Sequence, residues 1–325
     1  MKIGIDIMGG DYAPQETVKG AVLARRELNG SVELVLIGDS EEIHSLLKEY
    51  KADVSQFTIV PSRGVIGMGE NPTRAIVQKP ESSISIGFKM LKEGAIDSFA
   101  SAGNSGAMLV GAVLSVKTIP GIIRPCLSSF IPKENGGLGF FLDVGANADC
   151  KPEMLQQFAI IGSLMAEHVY HIPQPKVGLM NIGEENEKGN ALMKESFPLI
   201  KNLKDINFIG NVEGRDLFND KADVIVCDGF TGNIILKLAE SFYGLLRKYH
   251  FSNDYFERFN YENYGGTPIL GINKPVIIGH GISNAKTIMN MILFSKEVIE
   301  ARLASKISEE LTRESAALAT VKNGE

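Results

Sequence analysis

The chain has 325 residues, a net charge of −6, 44% hydrophobic and 22% charged residues, 34 glycines, three cysteines and no tryptophan. A chain this long buries about three quarters of its surface, which predicts one compact unit with two lobes. The negative charge excludes a general nucleic-acid binder, which needs a basic face. Cys126, Cys150 and Cys227 lack the spacing of a metal site or a disulfide framework, so a reducing, cytoplasmic setting is expected. The first residues enter a strand at once, and no signal peptide is expected. The longest apolar run, 107–116, is too short to span a bilayer.

In chain order the β-α alternation is regular. A strand over 2–7 leads to a helix over about 14–28, with Pro14 in a first-turn position where proline is tolerated. A strand over 32–37, a helix over 41–50 and a strand over 57–60 follow, then helices near 71–78 and 82–92. A strand over 98–101 feeds a helix over 105–117. Strands over 126–131 and 139–143 flank Lys133-Glu134-Asn135-Gly136-Gly137, a hairpin signal. Next come a helix over 152–169, a strand over 177–180, a helix over 191–203, and strands over 207–209 and 224–227. Long helices over 233–249 and 284–303 are separated by an irregular segment, 250–266. The residues after about Thr312 are expected to fray. This alternation predicts an α/β fold with a doubly wound, mainly parallel sheet and one antiparallel element.

The polar turns carry the chemistry. Strand-like runs feed Met8-Gly9-Gly10-Asp11, Ala102-Gly103-Asn104-Ser105-Gly106, Val144-Gly145-Ala146-Asn147, Asn181-Ile182-Gly183-Glu184-Glu185, Asp228-Gly229-Phe230-Thr231-Gly232-Asn233 and Gly279-His280-Gly281. In a parallel sheet such loops line up at the carboxyl edge, where ligands bind, and together they predict a convergent polar pocket. Gly9 and Gly10 let backbone N–H groups approach an anion; the alternative is a tight turn with Asp11 as a helix cap. Asn104 and Ser105, at a helix start, would bind phosphate oxygens or simply cap the helix. Glu184-Glu185-Asn186-Glu187-Lys188 places a lysine among carboxylates after a strand. Lys188 would offer a point charge to phosphate while the carboxylates hold it, against the plainer reading of a solvated loop. Thr231 and Asn233 supply neutral groups suited to an oxyanion, or a capped helix entry.

Among five histidines only His280, between two glycines after a strand, is placed for chemistry, as a phosphate donor or general acid. The chain has no G-x-G-x-x-G, Walker loop, G-x-S-x-G elbow or H-E-x-x-H. Neither a metal nor a cofactor is expected.

The set of turns resembles the acyl carrier protein-dependent phosphate acyltransferases of bacterial phospholipid synthesis, the PlsX family. It rests on Asp6-Ile-Met-Gly-Gly-Asp11, Ser101-Ala-Gly-Asn-Ser-Gly106, Leu142-Asp-Val-Gly-Ala-Asn147, Asn181-Ile-Gly-Glu-Glu185 with Lys188-Gly-Asn190, Gly210-Asn-Val-Glu-Gly-Arg215, Asp228-Gly-Phe-Thr-Gly-Asn233 and Gly279-His-Gly281, from Lys2 to about Met291. The resemblance implies transfer of a long-chain acyl group from acyl-[acyl carrier protein] to inorganic phosphate, a homodimer, and a two-lobed α/β/α sandwich similar to the isocitrate/isopropylmalate dehydrogenase-like and phosphotransacetylase fold. A cleft between the lobes would hold the site, with a downstream glycerol-3-phosphate acyltransferase as a further partner.

On this reading Lys188 binds phosphate and neutralises its charge, as the resemblance also implies, and Asn233 supports the oxyanion or orients phosphate. His280 protonates the leaving thiolate, and Gly9, Gly10, Asp11, Asn104, Ser105 and Thr231 complete the pocket. Asp6, Asp143, Asn147, Asn181, Glu184 and Asp228 orient these groups. In relatives an apolar helical hairpin that touches the membrane follows the Asn233 helix. Here the segment over 245–266 is shorter, and Leu245, Leu246, Phe251, Phe256 and Phe259 would form either a membrane patch on the inner face of the cell membrane or a dimer interface. Three other readings compete: a phosphotransacetylase using coenzyme A, a hydroxy-acid dehydrogenase of related fold, and a non-catalytic membrane scaffold.

Overall fold

The computed structural model describes residues 1–322. In chain order the strands and α-helices are β1 (Lys2–Asp6), α1 (Gln15–Glu27), β2 (Glu33–Gly38), α2 (Ser40–Glu49), β3 (Phe57–Pro61), α3 (Pro72–Gln78), α4 (Ser83–Glu93), β4 (Ser98–Ser101), α5 (Ser105–Ser115), β5 (Cys126–Pro132), β6 (Leu138–Leu142) and α6 (Pro152–His168). They continue with β7 (Lys176–Met180), α7 (Ala191–Lys201), β8 (Asn207–Val212), β9 (Val224–Val226), α8 (Gly229–Lys248), β10 (Thr267–Leu270), β11 (Val276–Ile278), α9 (Ala285–Glu300) and α10 (Leu303–Lys322). Two compact units divide them. The first takes residues 1–117 and 261–300, the second residues 118–260 and those from 301 onward.

In the first unit the strand order is β3-β2-β1-β4-β11-β10. All neighbours are parallel except β10, which runs antiparallel to β11. The inner residues of β1 are buried on both faces, Ile5 facing Leu36 on one side and Ala100 on the other. That explains its unbroken apolar run, since a covered parallel strand has no wet face. The core closes on Phe88 and Phe99, whose rings meet edge-on at 5.2 Å. Gly87 is required there, because a Cβ would stand 2.2 Å from the Phe99 ring. Strands β2 and β4 lie on opposite sides of β1, so the winding reverses between β1 and β4. Such a switch point is where doubly wound sheets bind ligands.

In the second unit the order is β5-β6-β9-β7-β8, parallel apart from the β5–β6 hairpin. Phe140, Leu142, Phe158, Ile161, Val224 and Val226 are fully or almost fully buried. Burying each large side chain contributes about 1.5–3 kcal/mol. The mainly parallel α/β pattern with an antiparallel element is present in both units.

Several boundaries differ from the sequence reading. Helix α8 starts at Gly229, not Asn233, because Gly229 and Gly232 serve close packing rather than a loop. Strand β10 went unrecognised behind Gly265-Gly266. The expected helix over 284–303 stops at Glu300, where Arg302 takes φ 50°, and α10 restarts at Leu303. That helix continues past Thr312 to Lys322, so fraying is not seen up to that point; the remaining residues lie outside those described. Within 250–266 the chain forms short 3-10 turns at Phe256–Phe259 and Tyr261–Asn263. The first is tied to the β5–β6 hairpin: Tyr255 Oη donates to Pro132 O at 3.2 Å and Arg258 to Lys133 O at 3.0 Å. Among the described residues no helix is long and apolar enough to cross a membrane.

Candidate active site

In the first unit the turns after β1, β4 and β11 lie side by side. Asp6 ends β1 with its carboxylate buried. One oxygen accepts the Ser101 hydroxyl at 2.6 Å and the other the Met8 N–H at 3.0 Å. Ser101 Oγ in turn accepts the Gly103 N–H at 2.9 Å. A Cβ on Gly9 would stand 2.3 Å from Asp6 Oδ2 and 2.8 Å from both Gly103 N and Ser101 Oγ, so only glycine fits. Gly10 adopts φ 114°, a conformation that strains other residues. Burial pushes the Asp6 carboxyl above its ordinary range, against the opposing pull of Ser101 and backbone N–H groups. Asp6 therefore joins the β1 and β4 turns. Ser101, which does that joining, was quoted in the motif without a role; its place at a strand end before a glycine was the available signal.

Asp11 donates its backbone N–H to Gly281 O at 2.7 Å, tying the β1 turn to the β11 turn. Its carboxylate is exposed and does not cap α1, which begins after Pro14 without a side-chain cap. Asn104 is committed to the protein. Its Oδ1 accepts the Ala107 N–H at 2.9 Å, capping α5, and its Nδ2 lies within hydrogen-bond reach of the carbonyls of Gly67, Met68 and Glu70 at 3.0–3.1 Å. Asn104 thus builds the adjacent loop, and the exposed Ser105 at the first position of α5 is left to face solvent. His280 is exposed, and its Nδ1 accepts from Ile282 N at 3.4 Å, which leaves the proton on Nε2 when the ring is neutral.

In the second unit the turns after β6, β9 and β7 do the same. The Asp143 carboxylate is fully buried and accepts N–H groups from Leu127, Gly145, Ala146 and Asn147, plus the Asn147 amide, at 2.7–3.2 Å. This one side chain shapes the whole β6 turn. Helix α8 packs onto it through glycines: a Cβ on Gly229 would stand 2.5 Å from Asn147 O, and one on Gly232 only 1.8 Å from Asp143 O. Asp228 caps α8, accepting from Thr231 N at 2.9 Å and Thr231 Oγ1 at 2.8 Å. Asn233 is exposed in the first turn of α8 and donates to Val144 O at 3.1 Å. A Cβ on Gly145, itself at φ 134°, would meet that amide at 2.9 Å.

After β7, the largely exposed sequence 184–190 folds around Asn181. Asn181 Nδ2 donates to Lys188 O at 3.1 Å, and its Oδ1 accepts the Ile182 N–H at 2.8 Å. Lys188 N donates to Glu185 O at 3.1 Å. The Lys188 side chain is exposed, and its ammonium makes no ion pair among the described residues. The expected carboxylate grip on it is not observed. Glu184 instead pairs with Lys221 at 2.7 Å and Arg215 at 3.8 Å. Lys221 also bonds Asp216, five residues before it, at 2.9 Å, while its pairing with Glu184 spans 37 residues and is signalled by no periodicity. Glu184, Glu213 and Asp216 come close enough to hold a cation, but Lys221 and Arg215 already meet their charge.

The cysteines are unsuited to nucleophilic attack. Burial pushes the Cys150 thiol up to about 12, and Cys126 and Cys227 well above the ordinary range, so all three stay protonated at neutral pH. The structure therefore brings Asp6, Gly9, Gly10, Asp11, Asn104, Ser105 and His280 together in one unit. Asp143, Asn147, Asn181, Glu184, Lys188, Asp228, Thr231 and Asn233 gather in the other.

Residues 1–250 match the family model described as "Fatty acid synthesis protein". The chain is 44% identical to the phosphate acyltransferase of Dictyoglomus thermophilum, covering 96% of this chain and 98% of that one. It is 42% identical to that of Thermoanaerobacterium thermosaccharolyticum, covering 96% and 97%. Among solved structures it is similar to a phosphotransacetylase from Streptococcus pyogenes, with TM-score 0.66, 18% identity and coverage of 92% and 94%. A 4-hydroxythreonine-4-phosphate dehydrogenase from Klebsiella pneumoniae matches with TM-score 0.56, 13% identity and coverage of 92% and 98%. At those identities the two structures speak for the fold alone.

Proposed function

This chain belongs to the phosphate acyltransferase family of fatty acid synthesis proteins, and from that premise we propose that it transfers a long-chain acyl group from acyl-[acyl carrier protein] to inorganic phosphate. The observation that carries the reading is Lys188. It is an exposed ammonium with no ion pair among the described residues, its backbone held by Asn181 and Glu185 at the carboxyl end of β7. A point charge presented in that way suits a small oxyanion. Phosphate, with a second pKa of about 7, is already partly dianionic at neutral pH and needs no strong base. The protein has to bind it, offset its charge and aim it at the thioester carbon.

Attack is direct. Phosphate oxygen bonds to the acyl carbon, the tetrahedral oxyanion collapses, and the carbon–sulfur bond breaks to release carrier-protein thiolate. The protonated cysteines favour this route over an acyl-enzyme. Lys188 receives phosphate, the second amide hydrogen of Asn233 supports the oxyanion, and His280 passes to the thiolate the proton that the attacking hydrogen phosphate releases. The Gly9–Asp11 turn, Ser105 and Thr231 line the anion's surroundings. Asp6, Asn104, Asp143, Asn147, Asn181 and Asp228 hold those groups in place, and Glu184 does so through Lys221. All of these residues serve one reaction on a single-domain chain.

The partners follow from the same reading: acyl carrier protein, phosphate, a second copy of the chain and a downstream glycerol-3-phosphate acyltransferase, with the protein in the cytoplasm at the inner face of the cell membrane. Homodimerisation is supported by α8, where Phe230, Ile234, Leu238, Phe242, Leu245 and Tyr249 are each at least half exposed along one side. Soluble monomers rarely leave so long an apolar face open. Phe256 and Phe259, by contrast, are only partly exposed and stack with Tyr255 and, for Phe259, Phe218. They are therefore not part of that face.

The test is acyl phosphate formation from palmitoyl-[acyl carrier protein] and phosphate, with palmitoyl-coenzyme A in parallel. Product from the carrier-protein thioester alone is the expected result. Product only from coenzyme A esters would move the enzyme to the phosphotransacetylases, and no product from either would overturn the reading.

A further inference from the structure

Asn211 lies in β8 and is 3% exposed. Its Nδ2 donates to Glu185 O at 2.8 Å. The same carbonyl accepts the Lys188 N–H at 3.1 Å, so the buried amide grips the turn that sets the Lys188 backbone. Asn181 holds the other side of that residue, donating to Lys188 O at 3.1 Å. Between them the two asparagines fix the loop on either face of the lysine. Asn211 Oδ1, however, is buried without a hydrogen-bond partner. An unpaired buried carbonyl oxygen opposes folding, and a leucine of similar shape would fill the space without it. What the amide gains at this position is the grip of its Nδ2 on the loop.

We propose that Asn211 is a positioning residue for the reaction, holding the Lys188 loop in the pose that receives phosphate. This rests on the reading of Lys188 as the phosphate-binding residue. The experiment measures KM for phosphate, KM for the acyl donor and Tm in Asn211→Leu, Asn211→Asp, Lys188→Ala and the Lys188→Ala/Asn211→Leu double variant. Asn211→Leu should keep or raise Tm while phosphate KM rises about tenfold, the effect of one lost directional hydrogen bond. The acyl-donor KM should stay put. Asn211→Asp keeps the shape but replaces the donor with an acceptor facing Glu185 O, so it should raise phosphate KM in the same way if the leucine variant fails to fold. On the Lys188→Ala background, Asn211→Leu should add nothing further.

A purely structural Asn211 would instead lower Tm with phosphate KM unmoved, or give effects that multiply with Lys188→Ala; either result overturns the proposal. A Lys188→Ala enzyme with unchanged phosphate KM would overturn the lysine assignment itself. Impaired Lys188→Ala beside Asn211 variants of normal phosphate KM would overturn only the role of Asn211.

Discussion

Gly232→Ala and Gly244→Ala place the same methyl group on the same helix and should act in opposite directions. At Gly232 the added Cβ would lie 1.8 Å from Asp143 O, where ordinary contact begins at 3.4 Å, a shortfall of 1.6 Å. The obstacle is backbone, and it is pinned, because Asp143 N donates to Cys227 O at 3.0 Å and its carboxylate organises the β6 turn. The start of α8 must therefore back away. Overpacking of this kind costs about 1–3 kcal/mol, and the gain in helix propensity returns up to about 1 kcal/mol. A net loss of about 1–2 kcal/mol is expected, a fall of several degrees in Tm. Displacing Asn233 by about 1 Å should reduce turnover on the order of 10²-fold. At Gly244 nothing stands within 4 Å of the added Cβ, so propensity alone acts and stability should rise by about 1 kcal/mol with turnover unchanged. Thermal unfolding and acyl phosphate formation read both variants. Equal shifts in Tm of the same sign, or a Gly232→Ala enzyme at full turnover, would refute the argument that α8 is seated by backbone contact.

Lys188→Ala should lower turnover about 10²-fold or more with Tm little changed, since the side chain is exposed and its ammonium makes no ion pair among the described residues; steady-state kinetics at saturating acyl donor would show otherwise if the lysine were a bystander. Lys221→Met should destabilise the enzyme by about 1–2 kcal/mol at pH 7, discounted for the partial exposure of the lysine. Burial raises the Asp216 carboxyl, but the Glu213 N–H, Lys221 and Asn219 outweigh it and leave it below its ordinary 3.8. Its stabilisation is thus present above that value and lost as pH falls through the lower, folded one. The gap between wild type and Lys221→Met, followed by denaturant unfolding, should accordingly narrow in acid below about pH 4; a gap constant from pH 7 to 2 would contradict the assignment. Leu238→Asp should leave the chain monomeric in sedimentation equilibrium where the unaltered chain shows the proposed homodimer. A variant that stays dimeric but no longer binds anionic liposomes would show that this face of α8 meets lipid instead.

The strand-turn-helix frame was legible because each strand is a short apolar run ended by glycine and capped by Asn, Asp or Ser: Asn104, Asn190 and Asp228 all cap the helices that follow them. The polar turns were legible for the same reason. What escaped were features decided by distant partners. Glycines at 229 and 232 read as loop, yet they sit in the first turn of α8 because Asp143 and Asn147 leave no room for a side chain. The break at Arg302 has neither glycine nor proline to announce it. The partner of Glu184 is Lys221, 37 residues away, rather than the neighbouring Lys188. For Asn104 the sequence left phosphate binding and helix capping both open, and for Asp228 an orienting role; their side chains are engaged by backbone groups and by Thr231.

The glycine seats at 9, 229 and 232 set apart two classes of position under mutation among the candidate turns. At those three, any side chain meets a buried carboxylate or a carbonyl at well under contact distance, so the frame tolerates no variation. At Ser105 and Phe230 the side chains are exposed and no side-chain contact of theirs holds a turn in place. A library aimed at new acyl donors would therefore lose most of its members at the glycines. Diversity confined to the outward-facing positions would leave the fold intact, and a drifting lineage would alter its substrate range there while its turns stayed frozen.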